Sequence, residues 1–244
     1  MKTILQIEKL TKKFSNVLAV DSLSFALEEG SITALLGGNG AGKTTTLSML
    51  LGLLEPTSGQ IKLFDRDFIQ DRHSVLSRMN FSSPYVDLPQ RLTVRQNLTV
   101  YAKLYGVRKV RERINLVSEE FRLEDLLDRR VRKLSSGQKT RVSLAKSMIN
   151  RPDFLLLDEP TASLDPDTTS WIREFLKKYR IEQGATILLA SHDMREVELL
   201  CDEVLLMKNG KLVEQGSPEE LLRRHDRKSL EEVFLDVSRQ GGGN

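Results

Sequence analysis

The chain has 244 residues, of which 39% are hydrophobic and 29% charged, a balance that describes a soluble globular protein of one large domain or slightly more. Its 37 basic against 34 acidic side chains leave a formal net charge of +3, too small and too evenly spread to argue for nucleic acid as a partner. A single cysteine, Cys201, excludes an internal disulfide, and no window approaches the roughly 18 consecutive apolar residues of a membrane-spanning helix. In chain order, Ile4 to Glu8 and Ser22 to Leu27 alternate apolar and polar residues, which reads as antiparallel strands flanking a loop from Phe14 to Val20. Phe14, in a polar stretch without strand partners in sequence, is either an ordinary hairpin aromatic or a ring that stacks on an adenine base.

The apolar run Ile32 to Leu36 then enters Gly37-Gly38-Asn39-Gly40-Ala41-Gly42-Lys43-Thr44-Thr45, followed by an apolar-rich segment through Leu51. Strand, glycine loop and helix in that order satisfy G-x-x-x-x-G-K-[ST]. Glycines let backbone N–H groups wrap phosphates, the new helix adds unpaired N–H groups and its positive dipole end, Lys43 reaches the β- and γ-phosphates, and the Thr44 hydroxyl suits Mg²⁺. A dinucleotide-binding reading fails, because Lys43 stands where a third glycine would be needed. By itself the loop says only NTPase or kinase.

Glu55 to Gly59 is a turn cluster and Gln60 to Phe64 a short strand. Met79 to Phe81 makes a brief strand, and Ser82 to Arg91, with two prolines and no periodicity, is a loop. Thr93 caps a helix whose Val94, Leu98, Tyr101 and Leu104 recur at spacings of three and four, and helical pattern continues to Leu127. Thr93 to about Asn150 therefore reads as a helical insertion, with Arg129 to Lys133 a solvated basic face. Leu134-Ser135-Ser136-Gly137-Gln138 opens another helix, with Val142, Ala145, Met148 and Ile149 on one side. Small hydroxyl residues and a glycine at a helix N-terminus make an anion site, although such caps are common.

The run Phe154 to Leu157 ends in Asp158-Glu159-Pro160, a buried parallel strand that delivers two carboxylates at its carboxyl end, one for a magnesium shell and one to act on water. His192 follows the apolar strand Ile187 to Ala190, and is either a helix-capping histidine or part of the same crevice. His73 and His225 lie far from it in sequence, so the histidines form no metal-ligand cluster.

These residues resemble the nucleotide-binding subunits of ABC transporters, exporter-like and of bacterial type. Leu134 to Gln138 is similar to the family's LSGGQ sequence, with Ser136 where glycine is usual; Leu155 to Glu159 resembles its Walker B strand and adjoining glutamate. Ser163-Leu164-Asp165 resembles the D-loop, His192 the switch histidine, and Phe14 the adenine-stacking aromatic. The resemblance runs from about Ile4 to Gly216. It implies an α/β fold: a P-loop NTPase core of RecA-like type with an N-terminal antiparallel β subdomain and an inserted helical subdomain. The division it implies is residues 1–92 and 151–216 for the nucleotide core, 93–150 for the helical part, and 217–244 for a short C-terminal helical tail. That tail carries an amphipathic helix near Leu230 to Val237 and a Gly-rich end expected to be disordered.

The resemblance also implies the function: an ATPase that binds ATP and Mg²⁺ and drives membrane-spanning permease subunits from the cytoplasmic face of the plasma (inner) membrane. Ser135 to Gln138 of one subunit would close over ATP held by a second copy or a homologous subunit. Lys43 and the loop amides fall to the phosphates, Thr44 and Asp158 to Mg²⁺, Glu159 to the attacking water, and His192 to the γ-phosphate. The alternative is a soluble ABC ATPase that remodels ribosomes or nucleic acid. A guanine-reading N-K-x-D stretch does not occur. Family members place a metal-touching glutamine in the loop between Phe81 and Leu92, but counting back from Leu92 to Leu98 puts that position on Pro84. Leu88-Pro89-Gln90 imitates the local sequence six residues later, against the helix start. Ser83, a hard oxygen ligand, or a bare water is therefore expected to complete the magnesium shell in place of Gln90.

Overall fold

The computed structural model describes residues 2–84 and 86–239; of the end expected to be disordered, 239–244, Arg239 instead closes a helix and residues 240–244 lie outside the described residues. In chain order the elements are β1 (Thr3–Phe14), β2 (Val17–Glu28), β3 (Ile32–Gly37), α1 (Lys43–Leu50), β4 (Ser58–Leu63), β5 (Arg66–Asp67), α2 (Arg72–Leu76) and β6 (Met79–Ser82). A helical stretch follows, with α3 (Val94–Leu104), α4 (Val110–Glu120), two 3₁₀ turns at Glu124–Leu126 and Val131–Lys133, and α5 (Ser136–Ser147). The chain then returns through β7 (Phe154–Asp158), α6 (Pro166–Gln183), β8 (Thr186–Ala190), α7 (Met194–Leu200), β9 (Glu203–Lys208) and β10 (Lys211–Gly216), and ends in α8 (Pro218–His225) and α9 (Leu230–Arg239). No helix among the described residues is long and apolar enough to cross a membrane.

Two sheets form among the described residues. One has the order β2-β1-β4-β5 with antiparallel pairing throughout. The other has the order β10-β9-β3-β8-β7-β6, in which β9, β3, β8, β7 and β6 run parallel and β10 closes the edge antiparallel. The expected loop from Phe14 to Val20 is much shorter. Phe14 pairs with Val17 and Lys13 with Leu18, leaving Ser15 and Asn16 as the turn, with Ser15 at a left-handed φ of 38°. Backbone pairing carries the hairpin past the point where its side chains stop alternating, because that end of the sheet is exposed on both faces.

The parallel strands are buried on both faces, so they read as apolar runs, and successive residues feed two different cores. Ile32, Ala34, Leu36, Leu155, Leu157, Ile187 and Leu189 pack with the helical stretch, with Ile172 and Leu176 of α6, and with α8 and α9. Leu35, Phe154, Leu156, Leu188 and Ala190 pack on the other side with Leu47, Met49 and Leu50 of α1 and the inner face of the antiparallel sheet. Each fully buried leucine contributes roughly 1.5–3 kcal/mol, which holds the ends of β3, β8 and β7 side by side. The helical stretch is tied in by polar contacts as well: the buried Arg113 guanidinium donates to the Met148 and Ile149 carbonyls at the end of α5. Thr93 caps α3 in a reciprocal box with Gln96. In the basic segment before α5, Val131 is buried while Arg129, Arg130, Arg132 and Lys133 are exposed.

Candidate functional site

The loop after β3 turns sharply into α1, and its geometry follows from close backbone approaches. Gly42 has φ 102°, and a Cβ there would stand 2.6 Å from the Ala19 carbonyl oxygen of β2, so no other residue fits. Lys43 Nζ folds back to donate to the Gly37 carbonyl at 2.6 Å and the Gly38 carbonyl at 3.2 Å. Serine, threonine or aspartate side chains cap α3, α5, α6, α7 and α8, whereas among the described residues no side chain caps α1, α2 or α4, and of these three only α1 follows a glycine loop. Its first-turn N–H groups are left for an anion, which is the donor set a polyphosphate needs. They face a cleft of about 480 Å³ lined by Val17, Leu18, Ala19, Gly38 through Thr45 and Asn209.

Because β8 lies between β3 and β7, their carboxyl ends deliver Ser191-His192 and Asp158-Glu159 beside this loop. Burial pushes the Lys43 ammonium pKa down, against the opposing pull of Glu159 and Asp158. Burial likewise pushes the Asp158 carboxyl up, opposed by a hydrogen bond from Ser83 and by Lys43. A lysine and a carboxyl that are each half desolvated gain a partner when a triphosphate and a divalent cation arrive, so the donor set fits both. Glu159 sits at a left-handed φ of 49°, with its N–H donating to the Ala190 carbonyl at 2.8 Å. Its Oε1 is 2.6 Å from His192 Nδ1, and this hydrogen bond is the main cause raising the imidazole pKa. His192 is thus bonded to Glu159 rather than capping a helix; Asp193 caps α7.

Ser83 Oγ donates to Asp158 Oδ2 at 3.1 Å from the end of β6, and Ser83 is 4% exposed. Gln90 is exposed, and its carbonyl accepts from the Arg132 N–H in the basic segment before α5. Ser135 caps α5 in a reciprocal box with Gln138, Ser136 is the first helical residue, and a Cβ on Gly137 would meet the Ser163 carbonyl at 3.4 Å. Ser136 and Ser163 line a separate cleft of about 160 Å³ with Ser83, Pro84 and Thr140. Among the described residues the two clefts share none. Asp165 caps α6 by accepting from the Thr168 N–H at 2.9 Å, and the hydrogen bond from the Thr168 hydroxyl at 2.7 Å, with that backbone bond second to it, holds its pKa low. Phe14 is 44% exposed, with Lys12 Nζ 5.1 Å above its ring; the cleft is lined from this hairpin by Val17, Leu18 and Ala19.

Two supports of the loop escaped sequence reasoning. The β9-β10 turn at Asn209-Gly210 grips it: the Gly210 N–H donates to the Ala41 carbonyl at 3.0 Å, and the Gly210 carbonyl accepts from the Asp21 N–H at 2.9 Å. An Asn-Gly pair between apolar runs is a hairpin signal that could have found it. The second is the seating of α9, a helix the sequence does announce, against the loop: its Phe234 ring lies 3.8 Å from where a Gly38 Cβ would stand. Lys208 Nζ holds that helix by donating to the Val237 and Ser238 carbonyls at 2.6 and 2.7 Å. No local pattern announces this contact.

The profile of the ABC transporter family matches residues 20–162. Among curated proteins, the chain is 39% identical to Nod factor export ATP-binding protein I of Ralstonia nicotianae, over 96% of this chain and 73% of that protein. It is 38% identical to bacitracin transport ATP-binding protein BcrA of Bacillus licheniformis, over 98% of this chain and 78% of BcrA. The ABC transporter ATP-binding protein NatA of Bacillus subtilis is 36% identical over 90% of each chain. Among solved structures, an ATP-binding subunit of an ABC transporter superposes with a TM-score of 0.89 at 26% identity, covering 97% of this chain and all of that one. CbiO1 of Clostridium perfringens, part of the transporter complex cbiONQ, gives 0.80 at 31% identity over 99% and 98%. Relatives this similar, matched over nearly the whole chain, establish that the protein belongs to the ABC transporter family, as an ATP-binding subunit whose ATP hydrolysis drives transport.

Proposed function

We propose that two copies of this chain, or one copy and a homologous ATPase subunit, sandwich two ATP molecules and power separate membrane-spanning permease subunits. The observation that carries this reading is that Ser136 of the signature stretch lines a cleft which, among the described residues, shares none with the cleft at the phosphate loop of its own chain. A second subunit supplies the missing wall. Lys43 and the amides from Gly38 to Thr45 hold the phosphates, Thr44 and Asp158 hold Mg²⁺, and Ser83 completes that shell in place of the family's glutamine. When bound, Mg²⁺ neutralises phosphate charge. Glu159 accepts a hydrogen bond from the attacking water and so polarises it, and His192, released from Glu159, meets the γ-phosphate. Asp165 and the signature residues face the nucleotide across the dimer, and Phe14 meets the adenine.

Residues 1–92 and 151–216 act as the nucleotide core, 93–150 as the helical signature part, and 217–244 as a C-terminal helical tail. The complex sits on the cytoplasmic face of the plasma membrane. The relatives named above for export of Nod factor and for bacitracin transport support an exporter-like role, and all are transporter subunits by name, which favours transport over remodelling of ribosomes or nucleic acid. The test is Glu159→Gln in size-exclusion chromatography with ATP and Mg²⁺. A stable dimer that retains ATP is expected; a variant that stays monomeric at high concentration while wild type dimerises refutes the sandwich.

A further inference from the structure

Behind the hydrolytic site, one carboxyl group is buried with half of its polar capacity unused. Glu196, on α7, is 2% exposed; its Oε2 accepts a 2.6 Å hydrogen bond from Thr161 Oγ1, and no hydrogen-bond partner meets its Oε1 among the described residues. A carboxyl in such a place is costly, and its position is held by what it does for its neighbours. Thr161 lies two residues after Glu159. The Glu196 N–H donates to Asp193 Oδ1 at 3.0 Å, and the Asp193 N–H donates to Ser191 Oγ at 3.0 Å, on either side of His192.

The turn after β7 and the loop after β8 are therefore joined twice. On the solvent side Glu159 Oε1 meets His192 Nδ1 at 2.6 Å, and in the interior Thr161 meets Glu196 at the same distance. The short chain segments 159–161 and 192–196 complete a closed ring through these two bonds. Closed hydrogen-bonded rings resist distortion more than their separate bonds do, because displacing one member strains every other. Glu159 needs such support: its left-handed φ of 49° persists in a residue with a side chain only where the surroundings over-determine it.

We infer that Glu196 is a positioning residue, whose hydrogen bond with Thr161 locks the turn after β7 against α7 and so holds Glu159 and His192 in register. The inference rests on the assignment of that pair to hydrolysis. Burial raises the Glu196 pKa, with the Thr161 hydroxyl opposing, so the group tends towards its neutral form, which suits an interior hydrogen-bonding role.

The experiment reads the pair without turnover. The His192 imidazole pKa is raised chiefly by the Glu159 hydrogen bond, and with three histidines in the chain its resonance is assignable by His192→Ala. In the purified full chain, Thr161→Val removes the bridging hydroxyl at nearly constant volume. The His192 pKa is expected to fall toward the ordinary imidazole value, and ATP turnover to drop about tenfold, equal to ~1.4 kcal/mol in the barrier, with KM for ATP little changed. Glu196→Ala should reproduce this, while Glu196→Gln, which keeps an acceptor oxygen, should retain the wild-type titration. If Thr161→Val folds and leaves the His192 titration unchanged, the inference is overturned, whether or not Glu196→Ala folds. If the His192 pKa falls while turnover stays at wild type, the positioning role stands and the assignment of the pair to hydrolysis fails.

Discussion

Substituting Gly210 by alanine tests how far the β9-β10 turn shapes the nucleotide site. Gly210 has φ 79°, and an added Cβ would lie 2.9 Å from the Ala19 carbonyl oxygen and 3.1 Å from Val20 Cα, backbone atoms that cannot swing aside. Gly106, at φ 68°, has nothing within 4 Å of its Cβ position and serves as the reference. Both variants carry the left-handed penalty of about 1–2 kcal/mol, partly offset in each by a less disordered unfolded chain. Only Gly210→Ala adds crowding, roughly 1–3 kcal/mol, so it should be the less stable of the two by that amount, out of a total of about 5–15 kcal/mol. The Gly210 N–H also anchors Ala41, so the displaced turn should pull on the loop and weaken ATP binding, whereas Gly106→Ala should bind normally. Urea unfolding and equilibrium nucleotide titration of both variants decide the matter. Equal stabilities within about 0.5 kcal/mol, together with equal ATP affinities, would show that this close approach constrains nothing.

Lys43→Ala should weaken nucleotide binding and abolish hydrolysis, because the phosphates lose the cation that now rests on the Gly37 and Gly38 carbonyls; turnover above about a tenth of wild type refutes the assignment. Ser83→Ala should raise the Mg²⁺ concentration needed for ATPase activity while Gln90→Ala does not, and the reverse result returns the metal role to Gln90. Lys146 is buried against the Phe81 carbonyl and the Tyr101 ring, and burial lowers its pKa from 10.5 to about 8. Below pH 8 it is charged in both the folded and unfolded states and the penalty is fully present. Between about 8 and 10.5 only the unfolded chain holds the proton, so folding stability rises with pH, by up to about 3 kcal/mol. Lys146→Met should abolish that rise, measured as the difference in urea unfolding between pH 7.5 and 10; an unchanged pH dependence refutes it.

What the sequence made legible was the chemistry at strand ends. A glycine loop between an apolar run and a helix specifies its own context, so the sequence alone sets Lys43, Thr44 and the strand ends at Asp158 and His192 in one crevice. The capping signals of α3 and α5 were equally plain. The hairpin was misjudged because Lys12 to Asn16 are solvated and alternation, the usual strand signal, disappears where both faces are wet. Local signals also stood at Asp165-Pro166, Asn209-Gly210 and Ser217-Pro218, where α6, the β9-β10 turn and α8 begin, and went unread. Phe234 on Gly38 and Glu196 on Thr161 are different in kind, since contacts across many residues leave no periodic trace.

The strand order fixes when the nucleotide site can come into being. β3 ends at Gly37, yet its two neighbours in the sheet are β8 and β9, and β8 begins only at Thr186. During synthesis at roughly 5–20 residues per second, the loop-bearing strand therefore waits about 7–30 s for its first partner. Until then the apolar run Ile32 to Leu36 has no ladder to join, and the loop after it has neither Met207 nor Gly210 at its back. Until β8 and β9 have been made the nascent chain is a fragment without a phosphate site, so ATP cannot stabilise it before the β9-β10 turn has been synthesised.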